Sequence, residues 1–180
     1  PIPKVSRFSS GPFPCITSLR QTKMIKILFI NAINPSSEIQ SRYRPLGVMY
    51  LSASLKTAFE PGAFEIKLVH DDVEENIRIF EPDILGITAV SQNFNYAIRY
   101  ARLARRYELP VIVGGIHISI LPESMTEDMH VGCIGEGELT LVHLMKIFRK
   151  HNGFPPGELE RIEGVVFWKN GKLTRTRPPS

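Results

Sequence analysis

Glycine and histidine carry the most chemically suggestive spacing in this chain. In the stretch VIVGGIHISILPESMTEDMHVGCIGEGE, residues 111–138, a buried strand over 111–113 stops at the pair Gly114 and Gly115. A short helix and a second small strand, 131–134, then lead to Gly135-Glu136-Gly137-Glu138. Glycine lacks a Cβ, so its backbone takes positive φ and approaches a ligand closely. Backbone N–H groups at such turns suit phosphates or carboxamide oxygens. Between the turns, His117 offers an imidazole that can ligate a metal or donate a hydrogen bond. A lone histidine beside a strand end is more often structural or a supporting group than a ligand. Glu138 opens a helix, where an acid offsets the dipole. Glu136 has no such explanation, and is read as an acceptor for ligand amides or a partner across a domain interface.

Other polar groups are expected on the same rim. Asn31 ends the first strand, and a polar loop over residues 32–44 carries Asn34 and Arg44. The third strand ends in Thr88, Ser91, Gln92 and Asn93. All stand at strand C-termini, and in an open parallel sheet ligands bind outside those ends. At 13 residues the loop is long for a strand-to-helix connection, and such loops are often functional.

The elements that must position these residues follow from hydrophobic periodicity. Residues 25–30, IKILFI, form a near-continuous apolar run, as a strand covered on both faces should. Pro45 opens a helix with Val48, Leu51, Leu55 and Phe59 inward, and Pro61-Gly62 breaks it. FEIKLV, 64–69, alternates and reads as an edge strand; a short helix over 73–80 and a third strand over 83–90, DILGITAV, follow. Asn93 is expected to cap the next helix, which buries Phe94, Ala97, Ile98, Ala101 and Ala104. Its Arg99, Arg102, Arg105 and Arg106 read as a solvated face. A fourth strand starts at Pro110, and a helix runs from Glu138 to about Lys150. Pro155-Pro156-Gly157 reads as a linker, and Asn170-Gly171 between two strand-like runs is a hairpin signal. The expected fold is α/β: a doubly wound five-stranded parallel sheet in the flavodoxin-like order 2-1-3-4-5, with a C-terminal β-hairpin. The expected divisions are a leader over 1–23, the α/β domain over 24–153, and a linker with hairpin over 154–180.

Composition narrows the function classes. Hydrophobic residues make up 43% of the 180 and charged residues 22%, ordinary for a globular domain. No apolar run approaches the roughly 20 residues a membrane span needs. The net charge of +4 is misleading: residues 1–23 hold Lys4, Arg7, Arg20 and Lys23 and no acid. Without those four, the 22 basic residues fall to equal the 18 acidic ones, so no nucleic-acid footprint is read. The proline- and serine-rich leader is expected to be disordered, and an upstream extension suits it better than a transit peptide. Cys15 and Cys133 make neither a disulfide framework nor a zinc site, which fits a reducing, cytoplasmic setting.

Familiar occupants fit poorly. A dinucleotide site wants G-x-G-x-x-G after the first strand, where this chain reads Asn31-Ala32-Ile33-Asn34. No P-loop is present, and the acids and lysine of a phosphorelay receiver are replaced by Asn31, Thr88 and Gly135. A flavin mononucleotide site stays open, with Ser36 and Ser37 for its phosphate. No Ser-His-Asp or Cys-His set stands in a credible place.

PLGVMYLSA (45–53), DILGIT (83–88), VGGIHIS (113–119) and GEGE (135–138), in this order and spacing, carry a resemblance. They resemble the cobalamin-binding domain that precedes the radical S-adenosylmethionine domain of many bacterial and archaeal enzymes. IEGVVFWKNGKLTRTRPP resembles the segment joining the two domains. The resemblance implies cobalamin across the strand C-termini, with its nucleotide tail directed into the domain. Asn31, Asn34, Arg44, Thr88, Ser91, Gly114, Gly115, His117, Gly135, Glu136 and Gly137 would be its binding residues. The D-x-H-x-x-G motif is absent after the first strand, so a base-off corrinoid without a histidine from that loop is implied, His117 being the one substitute ligand. The iron–sulfur cluster and S-adenosylmethionine would belong to a radical S-adenosylmethionine domain acting in cis or trans, since this chain holds no C-x-x-x-C-x-x-C set. The implied enzymes are of methyltransferase or cyclase type. Two other readings remain: a cofactor-free interaction domain using the arginine-bearing helix and the hairpin with Trp168, or a flavin-binding carrier.

Overall fold

Apolar strands alternating with amphipathic helices leave the chain one economical arrangement, a sheet covered on both faces. The computed structural model describes residues 23–34 and 45–178. Residues 1–22 of the leader, and residues 35–44 of the loop with Arg44, lie outside the described residues. Strand β1 (Ile25–Ala32) is followed by α1 (Leu46–Ala58), β2 (Phe64–Val69), α2 (Val73–Phe80) and β3 (Ile84–Ala89). Then come α3 (Phe94–Arg106), β4 (Val111–Gly114), α4 (Ile116–Ile120), β5 (Val131–Cys133) and α5 (Glu138–His151). A short α6 (Pro156–Leu159) precedes the hairpin β6 (Val165–Lys169) and β7 (Lys172–Arg175).

The sheet runs β2-β1-β3-β4-β5-β6-β7. The first five strands are parallel in the expected order, with the reversal at β1 and β3. The hairpin does not hang off the domain. It extends the same sheet, with β6 antiparallel to β5 and β7 antiparallel to β6. A local hairpin signal does not say where the hairpin docks, because that depends on a distant edge. Here Val166 fills the space left by Gly132, where a Cβ would meet Val166 Cγ1 at 2.5 Å.

Each face has its own core. On one, α2 and α3 cover the sheet with Ile77, Phe94, Ala97, Ala101 and Ala104. On the other, α1 and α5 cover it with Val48, Leu55, Leu141, Leu144 and Phe148. Phe167 of β6 is fully buried in this second core. Its burial is worth about 2–3 kcal/mol relative to exposure.

Two local expectations are corrected. Asn93 makes no side-chain cap on α3. A 3₁₀ turn over Ser91–Asn93 leads into the helix, and the Phe94 N–H caps back onto the Ser91 carbonyl. β5 also ends one residue early, at Cys133, with the Ile134 N–H bonded to the Gly164 carbonyl just past the β5–β6 pairing. The arginines of α3 are engaged within the chain: Arg102 and Arg105 with Asp128, and Arg106 with Glu74. Trp168 donates its indole N–H to the Thr126 carbonyl at 3.0 Å.

Candidate functional site

A cavity of about 380 Å³ opens at the C-terminal ends of β3, β4 and β5, between α1 and α5. Register explains why it is there. Phe29 pairs with Gly86, and Gly86 with Ile112, so these three form one row across β1, β3 and β4. Gly86 leaves that row without a side chain at its centre. A Cβ on it would lie 2.5 Å from two atoms of the Phe29 ring. Val48 and Leu51 of α1 and Leu141 of α5 wall the space. Gly137, at the start of α5, faces Leu51, whose Cδ2 would stand 3.1 Å from an added Cβ.

One row further out the lining turns polar. Thr88 and Gly114 stand side by side near the ends of their strands, and Gly115, Ser119 and residues 135–138 complete the mouth. Gly115 has φ +97°, and a Cβ there would sit 2.8 Å from both the Ala89 carbonyl oxygen and Thr88 Oγ1. Only glycine suits that place. At Gly114 an added Cβ would meet nothing nearer than Cys133 Cβ at 3.8 Å, so its missing side chain leaves open room. Gly135 also has positive φ, 77°. Ser119 ties the two glycine turns together. Its hydroxyl donates to the Gly115 carbonyl at 3.0 Å and accepts from the Gly135 N–H at 2.9 Å. Cys133 lines the cavity as a free, buried thiol. Burial pushes its pKa up to about 12, so it stays protonated at neutral pH and is no nucleophile.

Six of the residues expected at the site therefore line one cavity: Thr88, Gly114, Gly115, Gly135, Glu136 and Gly137. Asn31 sits beside Thr88 in register but outside the lining. Asn34 Oδ1 accepts from the Tyr96 hydroxyl at 3.1 Å. Ser91 and His117 find each other instead, with Ser91 Oγ 3.0 Å from His117 Nδ1. The imidazole stacks on Phe94 with ring centroids 3.9 Å apart, on the α3 side of the sheet, and does not line the cavity. This corrects the expectation that placed His117 with the glycine turns. In a single helical turn, residues 115 and 119 share one face and residue 117 points the other way. Burial lowers the His117 pKa, offset in part by the Glu123 carboxylate, so the ring is neutral at physiological pH. Among the described residues, no three His, Cys, Asp or Glu side chains gather to hold a metal ion. Sequence reasoning passed over Phe29, Gly86 and Leu51 as site residues. The one available signal was the glycine inside DILGIT, at the centre of an otherwise apolar strand.

Residues 36–145 match the family described as the B12 binding domain. The chain belongs to the B12-binding domain family. Relatives of this B12-binding domain include an uncharacterised methyltransferase of Pyrococcus horikoshii, 33% identical over 144 residues, covering 75% of this chain and 30% of that protein. Two are named anaerobic magnesium-protoporphyrin IX monomethyl ester cyclase. The protein of Rubrivivax gelatinosus is 29% identical over 67% of this chain and 24% of its own length. The one of Cereibacter sphaeroides is 27% identical over 84% of this chain and 26% of its own. The chain thus spans between about a quarter and a third of the relatives it matches. No helix among the described residues is long and apolar enough to cross a membrane.

The residues present fit a corrinoid. Gly114 leaves open room at the mouth, and Gly86 lets the Phe29 ring lie flat against β3 as part of an apolar inner wall. At about 380 Å³ the cavity is in the range of small-molecule sites.

Proposed function

We propose that this B12-binding domain holds a corrinoid, with the nucleotide tail in the cavity between α1 and α5 and the macrocycle over the strand ends. The observation that carries the reading is the cavity itself, glycine-lined at its mouth and apolar in its depth, on the rim where parallel sheets bind ligands. Backbone N–H groups of the Gly114-Gly115 turn and of residues 136–138 would take phosphate and carboxamide oxygens of the cofactor, the Gly135 N–H being held by Ser119. Thr88 would supply a hydroxyl, and Glu136 would accept from amides. When bound, the cofactor would supply a cobalt centre able to carry a methyl group. The chain's own residues bind, orient and shield it. His117 is left out of this assignment, because its ring belongs to the Ser91–Phe94 cluster. The larger protein would be a radical S-adenosylmethionine enzyme of methyltransferase or cyclase type, and that second domain is the proposed partner. The names of the relatives and the quoted motifs support this.

Co-elution tests the reading. The chain, mixed with hydroxocobalamin at tens of micromolar, a typical order of magnitude for a small-ligand site, is expected to carry the cofactor's visible absorbance through gel filtration. Elution of colourless protein, with all the colour in the small-molecule fraction, would refute it.

A second reading, an interaction module without cofactor, is favoured by one observation. Leu46, Met49 and Tyr50 form an exposed apolar stripe on the outer side of α1, with exposures of 65%, 50% and 63%. Colourless elution together with capture of a partner domain would support it.

A further inference from the structure

The inner half of the cavity differs chemically from its mouth, and the difference bears on which corrinoid it accepts. Resting on the corrinoid reading above, we propose that the Phe29–Gly86–Ile112 row and its walls select the base at the end of the cofactor's nucleotide tail, favouring a benzimidazole over a purine. The row offers the Phe29 ring, lying over Gly86, and an aliphatic side chain beside it. Val48, Leu51 and Leu141 close over it. None of these side chains carries a nitrogen or oxygen. The backbone offers nothing in exchange, since β1, β3 and β4 are each paired on both sides. Among the described residues, the nearest polar side chains are one row further out: the Cys133 thiol, a weak donor, and Thr88. Ser119, Glu136 and Glu138 belong to the turns at the mouth.

A purine entering this space brings an exocyclic amine and several ring nitrogens. Each leaves its hydrogen bonds to water and finds no replacement, and a buried unpaired polar group weakens binding roughly 5- to 100-fold. A dimethylbenzimidazole brings a single free ring nitrogen, and its methyl groups gain from leaving water. The Phe29 edge gives the flat base an aromatic neighbour. Gly86 makes the place possible, because any side chain there would drive the Phe29 ring out of position.

Equilibrium titration of the whole 180-residue chain with three corrinoids tests the proposal: cobalamin, its analogue with adenine as the tail base, and cobinamide, which has no nucleotide tail. Cobalamin is expected to bind tightest, with the adenine analogue at least about ten-fold weaker and cobinamide weaker than cobalamin. Equal or reversed affinity of cobalamin and the adenine analogue overturns the selectivity while leaving corrinoid binding in place. Cobinamide binding as tightly as cobalamin also overturns it, since the tail then gains nothing from the cavity. Failure of all three to bind refutes the corrinoid reading and the selectivity with it. Leu51→Gln supplies an amide to the wall from a half-buried helix position. It is expected to narrow the cobalamin-to-adenine ratio several-fold; an unchanged ratio removes this wall from the assignment.

Discussion

A methyl group at Gly115 faces two oxygens at 2.8 Å while forcing alanine into φ +97°. Gly115→Ala is expected to lower stability by about 1–3 kcal/mol and to weaken cobalamin binding, read as a lower urea midpoint and a lost co-elution. His117 makes a different prediction. Its pKa is lowered in the folded state, so below the ordinary histidine value of 6.5 the unfolded chain binds a proton that the native chain refuses. Stability should therefore hold above about pH 6.5 and fall as the pH drops below it toward the depressed native pKa. His130, whose pKa burial also lowers, adds to the same slope, so urea midpoints measured from pH 8 to 5 are expected to show it in the native chain and to lose only a part of it in His117→Gln. A slope unchanged by the substitution would place its origin elsewhere. The sequence showed both residues but not their separation. Gly115 was legible as a turn position, because a glycine pair at a strand end signals positive φ. His117 was misplaced because one turn of helix sends neighbouring side chains to opposite faces of the sheet, and the five-residue α4 is too short for periodicity to reveal that.

At the scale of elements, the strands and the paired helices were readable, since apolar runs and i, i+3, i+4 spacing belong to single segments. What the segments build together was less so. Gly86 reads locally as a weak point in β3, and its use, as the seat of the Phe29 ring, shows only once register puts Phe29 and Ile112 beside it. The hairpin was visible from Asn170-Gly171, while its union with β5 depends on a distant edge. This union makes an energetic prediction. Phe167 is fully buried, so Phe167→Ala is expected to cost about 3–5 kcal/mol, measured by chemical denaturation. Loss of under 1 kcal/mol, by contrast, would mean that β6 contributes little to the core, about the value seen for changes outside a packed interior.

At the scale of the molecule, a ligand that binds only the folded state raises its apparent stability by mass action, about 2.7 kcal/mol at 100 times the dissociation constant. Thermal melts with cobalamin in that excess are expected to shift upward, and melts with cobinamide to shift less. The mixed sheet carries one more consequence. β5 is three residues long and pairs with β4 through two positions but with β6 through three. Domains form from the amino end as a polypeptide is made. A nascent chain that has extruded β1 to β5 still lacks the strand that pins the Cys133 wall. On the corrinoid reading, a nascent chain would then complete its site only once the hairpin has emerged and zipped onto β5, so assembly would be timed by β6 and β7 and not by the glycines that line the cavity.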